Sequence, residues 1–186
     1  VQYYLAAQDV NSTIVKTLPA GGGGFNPPGN VPPSSFYQFY VAPVTTVLYD
    51  EANNINNWTS VSGWNTTTTK FVSPPTSFTD SPGGTYPPDV TATLTYNNEI
   101  ALQNVLGAEL EFDTQWDIET DWDYGQVLIS TNNGTTWTPL AGNYTNLGTG
   151  SFQPPNQPLY DGTQTTWVHE KMNLASFVNQ NIKLRF

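Results

Sequence analysis

An eight-residue stretch of alternating polarity places the strongest constraint on how this chain can fold. From residue 109 to 116, one set of alternating positions is mostly apolar and the other is acidic or amide-bearing. The first set is Leu110, Phe112, Thr114 and Trp116, and the second is Glu109, Glu111, Asp113 and Gln115. Successive side chains of a β-strand point to opposite faces, so the pattern predicts a strand with one face in a core and one in water.

The rest of the chain contains more short strand patterns separated by turn residues. Strands are predicted at residues 1–8, 13–15, 35–41, 70–72, 91–96, 126–129, 165–172 and 181–186. Asn133-Gly134 predicts a hairpin turn, and a single short helical turn is predicted at residues 173–179. Many short strands with almost no helix are typical of an all-β fold, and we predict a jelly-roll β-sandwich.

A segment rich in glycine and proline divides the chain. Residues 18–33 include four consecutive glycines and two Pro-Pro pairs. Proline removes a backbone donor and glycine costs conformational entropy, so this segment is predicted to be a loop or linker. We therefore expect residues 1–42 to be the C-terminal strands of an Ig-like or fibronectin-type domain, and residues 43–186 to form the jelly roll.

Composition narrows the classes of partner. Five basic residues against 15 acidic ones give a formal net charge of −10, which repels phosphate backbones and disfavours nucleic-acid binding. The same charge would attract cations such as Ca²⁺, or would simply keep the surface soluble. The chain has no cysteine, which excludes disulfides and thiolate metal sites. No apolar run is long enough for a membrane helix, so membrane insertion is not expected.

Five short motifs occur in a fixed order after residue 48. They are Tyr49-Asp-Glu51 with Trp58; Ser77-Phe-Thr-Asp80-Ser-Pro-Gly-Gly-Thr-Tyr86; Trp116-Asp-Ile-Glu119-Thr-Asp-Trp-Asp123-Tyr-Gly-Gln-Val127; Ser130-Thr-Asn-Asn-Gly-Thr-Thr-Trp137; and Trp167 with Asn173-Leu174 and Ile182-Lys-Leu-Arg-Phe186. In this order they resemble the MAM-like, cleaved-adhesin-type jelly-roll modules attached to secreted bacterial peptidases. Examples of those peptidases are gingipains, immune-inhibitor-A-like metallopeptidases and Bacteroidetes zinc carboxypeptidases.

The resemblance implies a function as well as a fold. It implies a non-catalytic accessory or binding module of a multidomain peptidase, located outside the cell or on its surface. Its partners would be other domains of the same precursor. The pattern of these modules continues with a further strand after Phe186, so the module is expected to lack its last strand here.

The resemblance also implies a structural Ca²⁺ ion. Its ligands would be Asp50 or Glu51, together with Asp80 and backbone oxygens near Ser81 and Tyr86. Ca²⁺ prefers about six to eight hard oxygen ligands, which carboxylates and carbonyls supply. The alternative interpretation is that Asp80-Ser-Pro-Gly is only a tight turn, because aspartate and proline favour turns.

Four acidic residues of equal parity follow the alternating stretch: Asp117, Glu119, Asp121 and Asp123. An extended backbone would place all four on one side, where they could hold a second metal ion. A carboxylate pair for glycoside hydrolysis is a further alternative. We favour the interpretation that the four residues form a solvated corner, where their charges discourage other strands from pairing with an exposed strand end.

Several aromatic residues are candidates for stacking against sugar rings: Trp58, Trp64, Trp122 and Tyr124. Trp116, Trp137 and Trp167 lie beside strand patterns and are predicted to be core residues. His169 is the only histidine and is predicted to lie on a strand surface. The alternative to the accessory module is an adhesin or surface-filament subunit that binds a protein, a glycan or neighbouring subunits. A glycoside hydrolase-like enzyme would need Asp117 together with Glu119 or Asp123.

Overall fold

The computed structural model describes residues 1–8, 15–25, 28–38, 41 and 43–186. The strands are β1 (Gln2–Tyr3), β2 (Leu5–Gln8), β3 (Val15–Leu18), β4 (Gly23–Phe25), β5 (Pro28–Val31), β6 (Tyr37–Gln38), β7 (Trp58–Val61), β8 (Asn65–Thr67), β9 (Ser77–Thr79), β10 (Thr93–Tyr96), β11 (Ile100–Ala101), β12 (Glu109–Asp117), β13 (Leu128–Ser130), β14 (Thr138–Pro139), β15 (Asn146–Leu147), β16 (Pro158–Leu159), β17 (Thr163–Asn173) and β18 (Asn181–Arg185). A 3₁₀-helix at Ala175–Phe177 lies within the predicted helical turn. The all-β prediction is confirmed.

The chain divides into two compact units, Val1–Thr45 and Thr46–Phe186. In the first unit, β1 pairs with β6, β2 with β3, and β4 with β5, each in antiparallel fashion. The ring centroids of Tyr3 and Tyr37 lie 5.4 Å apart across the β1–β6 pair. Thr13 and Ile14 of a predicted strand lie outside the described residues. The assignment of this unit to an Ig-like domain stays a prediction.

The glycine- and proline-rich segment, predicted to be a loop or linker, contains the β4–β5 ribbon instead. The pairing joins Gly23 to Val31 and Phe25 to Pro28, with a register shift between them. Gly24 has a φ of +93° and Gly29 a φ of +76°, values that glycine adopts without strain. A two-stranded ribbon has two outer edges, which tolerate residues that a central strand excludes. The loop prediction was therefore wrong for these residues.

The second unit is a two-layered β-sandwich. One layer has the strand order β14-β13-β18-β10-β7, and β11 pairs with another part of β18. The other layer contains β12 and β17, which pair along their length from Glu109↔Asn173 to Asp117↔Thr163. Phe186 continues the first layer, because its backbone exchanges hydrogen bonds of 2.8 and 2.9 Å with Leu94.

The core lies between these two layers. Its buried members are Ile100, Leu102, Val127, Ile129, Leu140, Tyr160, Met172, Leu174, Ile182 and Leu184. Leu110, Phe112 and Trp116 of β12 pack against this cluster, while Glu109, Glu111 and Asp113 are exposed. The predicted alternation is confirmed up to a register irregularity between Thr114 and Trp116.

The Asn133-Gly134 turn connects β13 to β14, as predicted. Both residues have positive φ angles, 55° and 85°. The loop is longer than a two-residue hairpin, and Ser130 and Asn132 organise it. Ser130 Oγ accepts a 2.8 Å hydrogen bond from Gly134 N, and Asn132 Oδ1 accepts one of 2.9 Å from Thr136 N.

One predicted strand is absent from the second unit, because residues 70–72 form no strand. Residues 49–51, which open the first of the five motifs, form no strand either. Asp50 Oδ1 accepts a 2.8 Å hydrogen bond from Ala52 N, and Ala52 has a φ of 56°. Such a local side-chain bond competes with strand pairing.

The described part of the chain contains no helix with the length and apolar character needed to span a membrane.

Candidate functional site

The acidic corner after β12 is a compact turn rather than an extended segment. Trp122 N and Asp123 N both donate hydrogen bonds to the carbonyl oxygen of Glu119, at 3.2 and 3.1 Å. Asp121 has a φ of 64°, in the left-handed region. A turn rotates successive side chains away from one another, so the expectation that Asp117, Glu119, Asp121 and Asp123 share one side of an extended backbone was wrong.

Several acidic side chains here bond to other parts of the fold. Asp117 Oδ1 accepts a 2.9 Å hydrogen bond from Thr163 Oγ1, and Asp123 Oδ2 accepts one of 2.8 Å from Tyr86 Oη. The carboxylate of Asp161 accepts bonds of 3.2 and 3.3 Å from Asp121 N. Asp161 was not among the predicted residues. These bonds tie the turn to β17, to the loop after β16 and to the loop that carries Tyr86.

A second loop is fastened to the acidic turn by Gln153, whose residue surface is only 5% exposed. Its Nε2 donates a 3.1 Å hydrogen bond to the carbonyl oxygen of Asp123. Its Oε1 accepts hydrogen bonds from Thr149 N at 3.3 Å and Gly150 N at 3.0 Å. Gly150 lies so close to the Asp121 backbone that an added Cβ would be 2.0 Å from the Asp121 oxygen. Hydrogen bonds and close backbone packing therefore hold the acidic turn and the loop of residues 149–153 together.

The four aromatic residues predicted to stack against sugars occupy different environments. Trp122 is 53% exposed and Tyr124 is 44% exposed. Trp64 is half-buried, and its Nε1 is buried without a hydrogen-bond partner in the described part of the chain. Trp58 is only 9% exposed, with its ring against Phe78, Tyr96 and Phe186. The inclusion of Trp58 was therefore wrong, because a buried ring offers no face to a ligand.

The predicted Ca²⁺ ligands do not share one hollow: Asp50 and Glu51 line one, and Asp80 and Ser81 line another. Asp50 and Glu51 line one hollow together with Asn53, Asn54 and Asn57. Asp50 Oδ2 also accepts a 2.8 Å hydrogen bond from Trp58 Nε1, and Glu51 Oε2 accepts one of 2.9 Å from Asn53 Nδ2. Carboxylate and amide oxygens, which these residues carry, are the type of ligand that Ca²⁺ binds.

The other members of that set lie elsewhere. Asp80 and Ser81 line a second hollow, and Ser81 Oγ donates a 2.8 Å hydrogen bond to Asp80 Oδ1. Tyr86 is bonded to Asp123, and its pKa is raised, first by burial and then by that hydrogen bond. No group of three or more His, Asp or Glu side chains is placed to hold a metal within the described ranges. The ligand set stays a prediction.

Glu170, whose carboxylate accepts four hydrogen bonds from described residues, was not singled out from the sequence. Its side chain is fully buried at 0% exposure. Oε1 accepts hydrogen bonds from Asn143 N at 2.6 Å and Lys171 N at 2.7 Å. Oε2 accepts bonds from Tyr144 N at 3.1 Å and Tyr160 Oη at 2.9 Å. Burial, followed by the charge of Glu170, raises the pKa of Tyr160.

The outer face of the β12–β17 layer carries a ladder of charged side chains. His169 Nδ1 lies 3.0 Å from Asp113 Oδ1 and Nε2 lies 3.4 Å from Glu111 Oε2, and the predicted surface position of His169 is confirmed. Lys171 Nζ lies 2.5 Å from Glu111 Oε1, and this bond is the main cause that lowers the pKa of Glu111 to about 2. Exposed pairs of this kind add little to stability.

The hydrogen bond to Asp113 raises the pKa of His169 above its ordinary value. A raised pKa in the folded state means that the contribution of His169 to stability is full below its unfolded value of about 6.5 and is lost as pH rises through the folded pKa. Because the chain has one histidine, its ring protons can be followed by NMR without ambiguity. We expect a midpoint above 6.5 that moves down in an Asp113→Asn variant. An unchanged midpoint in that variant would contradict the pairing.

Comparison with known proteins gives a partial match. The chain is similar to the Pre-pro-metalloprotease PrtV of Vibrio cholerae serotype O1, in strain M66-2 and in strain ATCC 39315 / El Tor Inaba N16961. In both, 34% of residues are identical over 79 residues, which is 42% of this chain and 8% of the relative. The match thus spans a small part of each relative's length. No protein-family model and no solved structure matches the chain. At this coarse level, similarity to part of a metalloprotease precursor supports the predicted link to peptidases.

Proposed function

We propose that this chain is a non-catalytic accessory module of a multidomain bacterial peptidase that acts outside the cell or at its surface. The observation that carries the proposal is the 79-residue similarity to a pre-pro-metalloprotease. The β-sandwich fold fits a binding or spacing module. The other domains of the same precursor are its expected partners.

The bonding of the acidic corner supports a non-catalytic role. A glycoside hydrolase would need two carboxylates directed at a substrate bond. Asp117 instead accepts a hydrogen bond from Thr163, and Asp123 accepts one from Tyr86. Through these hydrogen bonds, the two carboxylates connect separate segments of the sandwich.

The accessory role predicts a separation between peptide hydrolysis and the function of the module. In the full precursor, deletion of residues 46–186 should leave kcat/KM for a short chromogenic peptide within about twofold, because the reacting groups are elsewhere. The amount of stable extracellular enzyme, or its action on casein, should fall. The proposal would be overturned if the isolated chain hydrolysed the peptide itself.

A structural Ca²⁺ ion is part of the proposal. Asp50 and Glu51, in the hollow that also holds Asn53, Asn54 and Asn57, would supply its side-chain oxygens. Asp80 and Ser81, in the other hollow, are the second candidates. Bound Ca²⁺ would supply positive charge that holds these loops to the sandwich.

Removal of Ca²⁺ should destabilise the protein. An ion at several hundred times its Kd stabilises the native state by about 3–4 kcal/mol, so EDTA should lower the melting temperature and added Ca²⁺ should restore it. Glu51→Gln should abolish this response if the first hollow binds the ion, whereas Asp80→Asn should do so if the second one does. Equal melting curves with EDTA and with Ca²⁺ would remove the metal from the proposal.

Ligand binding is the second candidate function, and it is shared with the adhesin alternative. The exposure of Trp122 and Tyr124 at one corner of the sandwich favours it, because exposed aromatic residues are common at binding surfaces. A surface-filament subunit would also associate with its own copies, which sedimentation of the purified chain at increasing concentration would detect.

A further inference from the structure

An exposed pair of stacked aromatic rings lies at the acidic corner. Trp122 is 53% exposed and Phe152 is 66% exposed. Their ring centroids are 4.6 Å apart and their planes differ by 18°, so the two rings stack nearly parallel. We call these two residues the aromatic stack. Each ring covers only one face of the other, which leaves much of the apolar surface of both in water.

The aromatic stack is held by buried structure on both sides. Trp122 belongs to the turn closed on Glu119 O, and Phe152 precedes Gln153. Gln153 joins the two loops through its bonds to Asp123 O, Thr149 N and Gly150 N. Tyr86 and Asp161 fasten the turn from other directions. The rings are therefore held in place before any ligand arrives, which reduces the entropy lost on binding.

Two exposed carboxylates belong to the turn that carries Trp122. Asp121 immediately precedes Trp122, Glu119 lies three residues before it, and both residues are exposed. Carboxylate oxygens only accept hydrogen bonds when ionised, so they suit a ligand rich in hydroxyl donors. In a chain with a net charge of −10, they also repel an anionic ligand.

We infer that the aromatic stack is a binding site for a neutral polysaccharide. The negative face of an aromatic ring attracts the C–H groups on the apolar face of a hexose ring, and the neighbouring carboxylates can accept hydrogen bonds from its hydroxyl groups. Phe152 extends the stacking set predicted from the sequence. Of that set, Trp122 and Tyr124 are exposed, Trp64 is half-buried and Trp58 is buried. This inference rests on the proposed role as an accessory binding module, to which it adds a ligand class.

Affinity electrophoresis tests the inference directly. The purified chain of residues 1–186 is run through native gels that contain hydroxyethyl cellulose, glycol chitin, mannan or xylan, and through gels that contain the anionic polygalacturonate. We expect retardation by at least one neutral polysaccharide and none by polygalacturonate. Trp122→Ala and Phe152→Ala should each weaken that binding by about tenfold or more, while Trp122→Tyr should retain most of it.

The controls separate binding from folding. Phe71→Ala removes another exposed aromatic ring, which lies outside both loops, and should bind like the parent chain. Melting curves of all variants establish that they are folded. The inference is wrong if no neutral polysaccharide retards the chain, if both alanine variants bind normally, or if polygalacturonate binds as well as the neutral polymers. A failure here leaves the precursor-deletion result untouched, since that experiment measures peptidase behaviour and not polysaccharide binding.

Discussion

Replacing Trp58 with alanine should lower the stability of the second unit by about 4 kcal/mol, the size expected when a buried aromatic side chain is removed from a core. Trp58 is 9% exposed and makes edge-to-face contacts with Phe78, Tyr96 and Phe186, whose ring centroids lie 5.6, 5.1 and 5.9 Å away. Its Nε1 also donates a 2.8 Å hydrogen bond to Asp50 Oδ2. The loss corresponds to a fall of roughly 10–15 °C in melting temperature, which calorimetry would measure.

A matched variant separates packing from hydrogen bonding. Trp58→Phe keeps an aromatic ring in the cluster but removes the donor to Asp50, so it should cost less than the alanine change. Polysaccharide binding by a folded Trp58→Phe variant should remain normal, because this ring is buried. A melting temperature within 2 °C of the parent value for Trp58→Ala would mean, at roughly 2–4 °C per kcal/mol, that the aromatic cluster contributes little.

Replacing Glu170 with glutamine should destabilise the sandwich by about 3 kcal/mol, or roughly 8–12 °C in melting temperature. The carboxylate accepts four hydrogen bonds, from Asn143 N, Tyr144 N, Lys171 N and Tyr160 Oη. A glutamine amide has only one oxygen, and its NH₂ group would face donors that also need an acceptor. The result would be buried polar groups without partners. Thermal or urea unfolding would measure the loss.

The same chemical change at an exposed position provides the control. Glu99→Gln removes one negative charge from an exposed residue and should change the free energy of unfolding by less than about 0.5 kcal/mol. Gly142→Ala perturbs the same carboxylate, because its new Cβ would lie 2.6 Å from the Glu170 carboxyl carbon. It should also be destabilising. If Glu170→Gln unfolded like Glu99→Gln, the four hydrogen bonds would carry no net stability.

Much of the second unit could be predicted from local pattern. Period-two alternation in residues 109–116 predicted β12 and its inner face, because side-chain direction in a strand depends only on the backbone. Asn133-Gly134 predicted a turn, since these residues adopt positive φ at little cost.

In the first unit, residues 18–33 were predicted wrongly. Their composition favours loops, and composition does not reveal a pairing between separate residues such as Gly23↔Val31.

The candidate site was less predictable. In β17, Glu170 has the same parity as Met172, and both are buried while His169 and Lys171 are exposed. That parity was the available indication of its burial. Three of its four hydrogen-bond donors come from residues 143, 144 and 160, and no local rule brings those segments together.

Strand patterns along the chain were enough to predict the all-β class, the inner face of β12 and the surface position of His169. The burial of Trp58, the bond between Asp161 and the acidic turn and the stacking of Trp122 on Phe152 were visible only in the folded structure. These three outcomes depend on contacts between residues distant in the chain, which form when the two layers pack and the loops around them close. Packing of that kind is set by the whole fold, so it has no signature in the spacing of neighbouring residues.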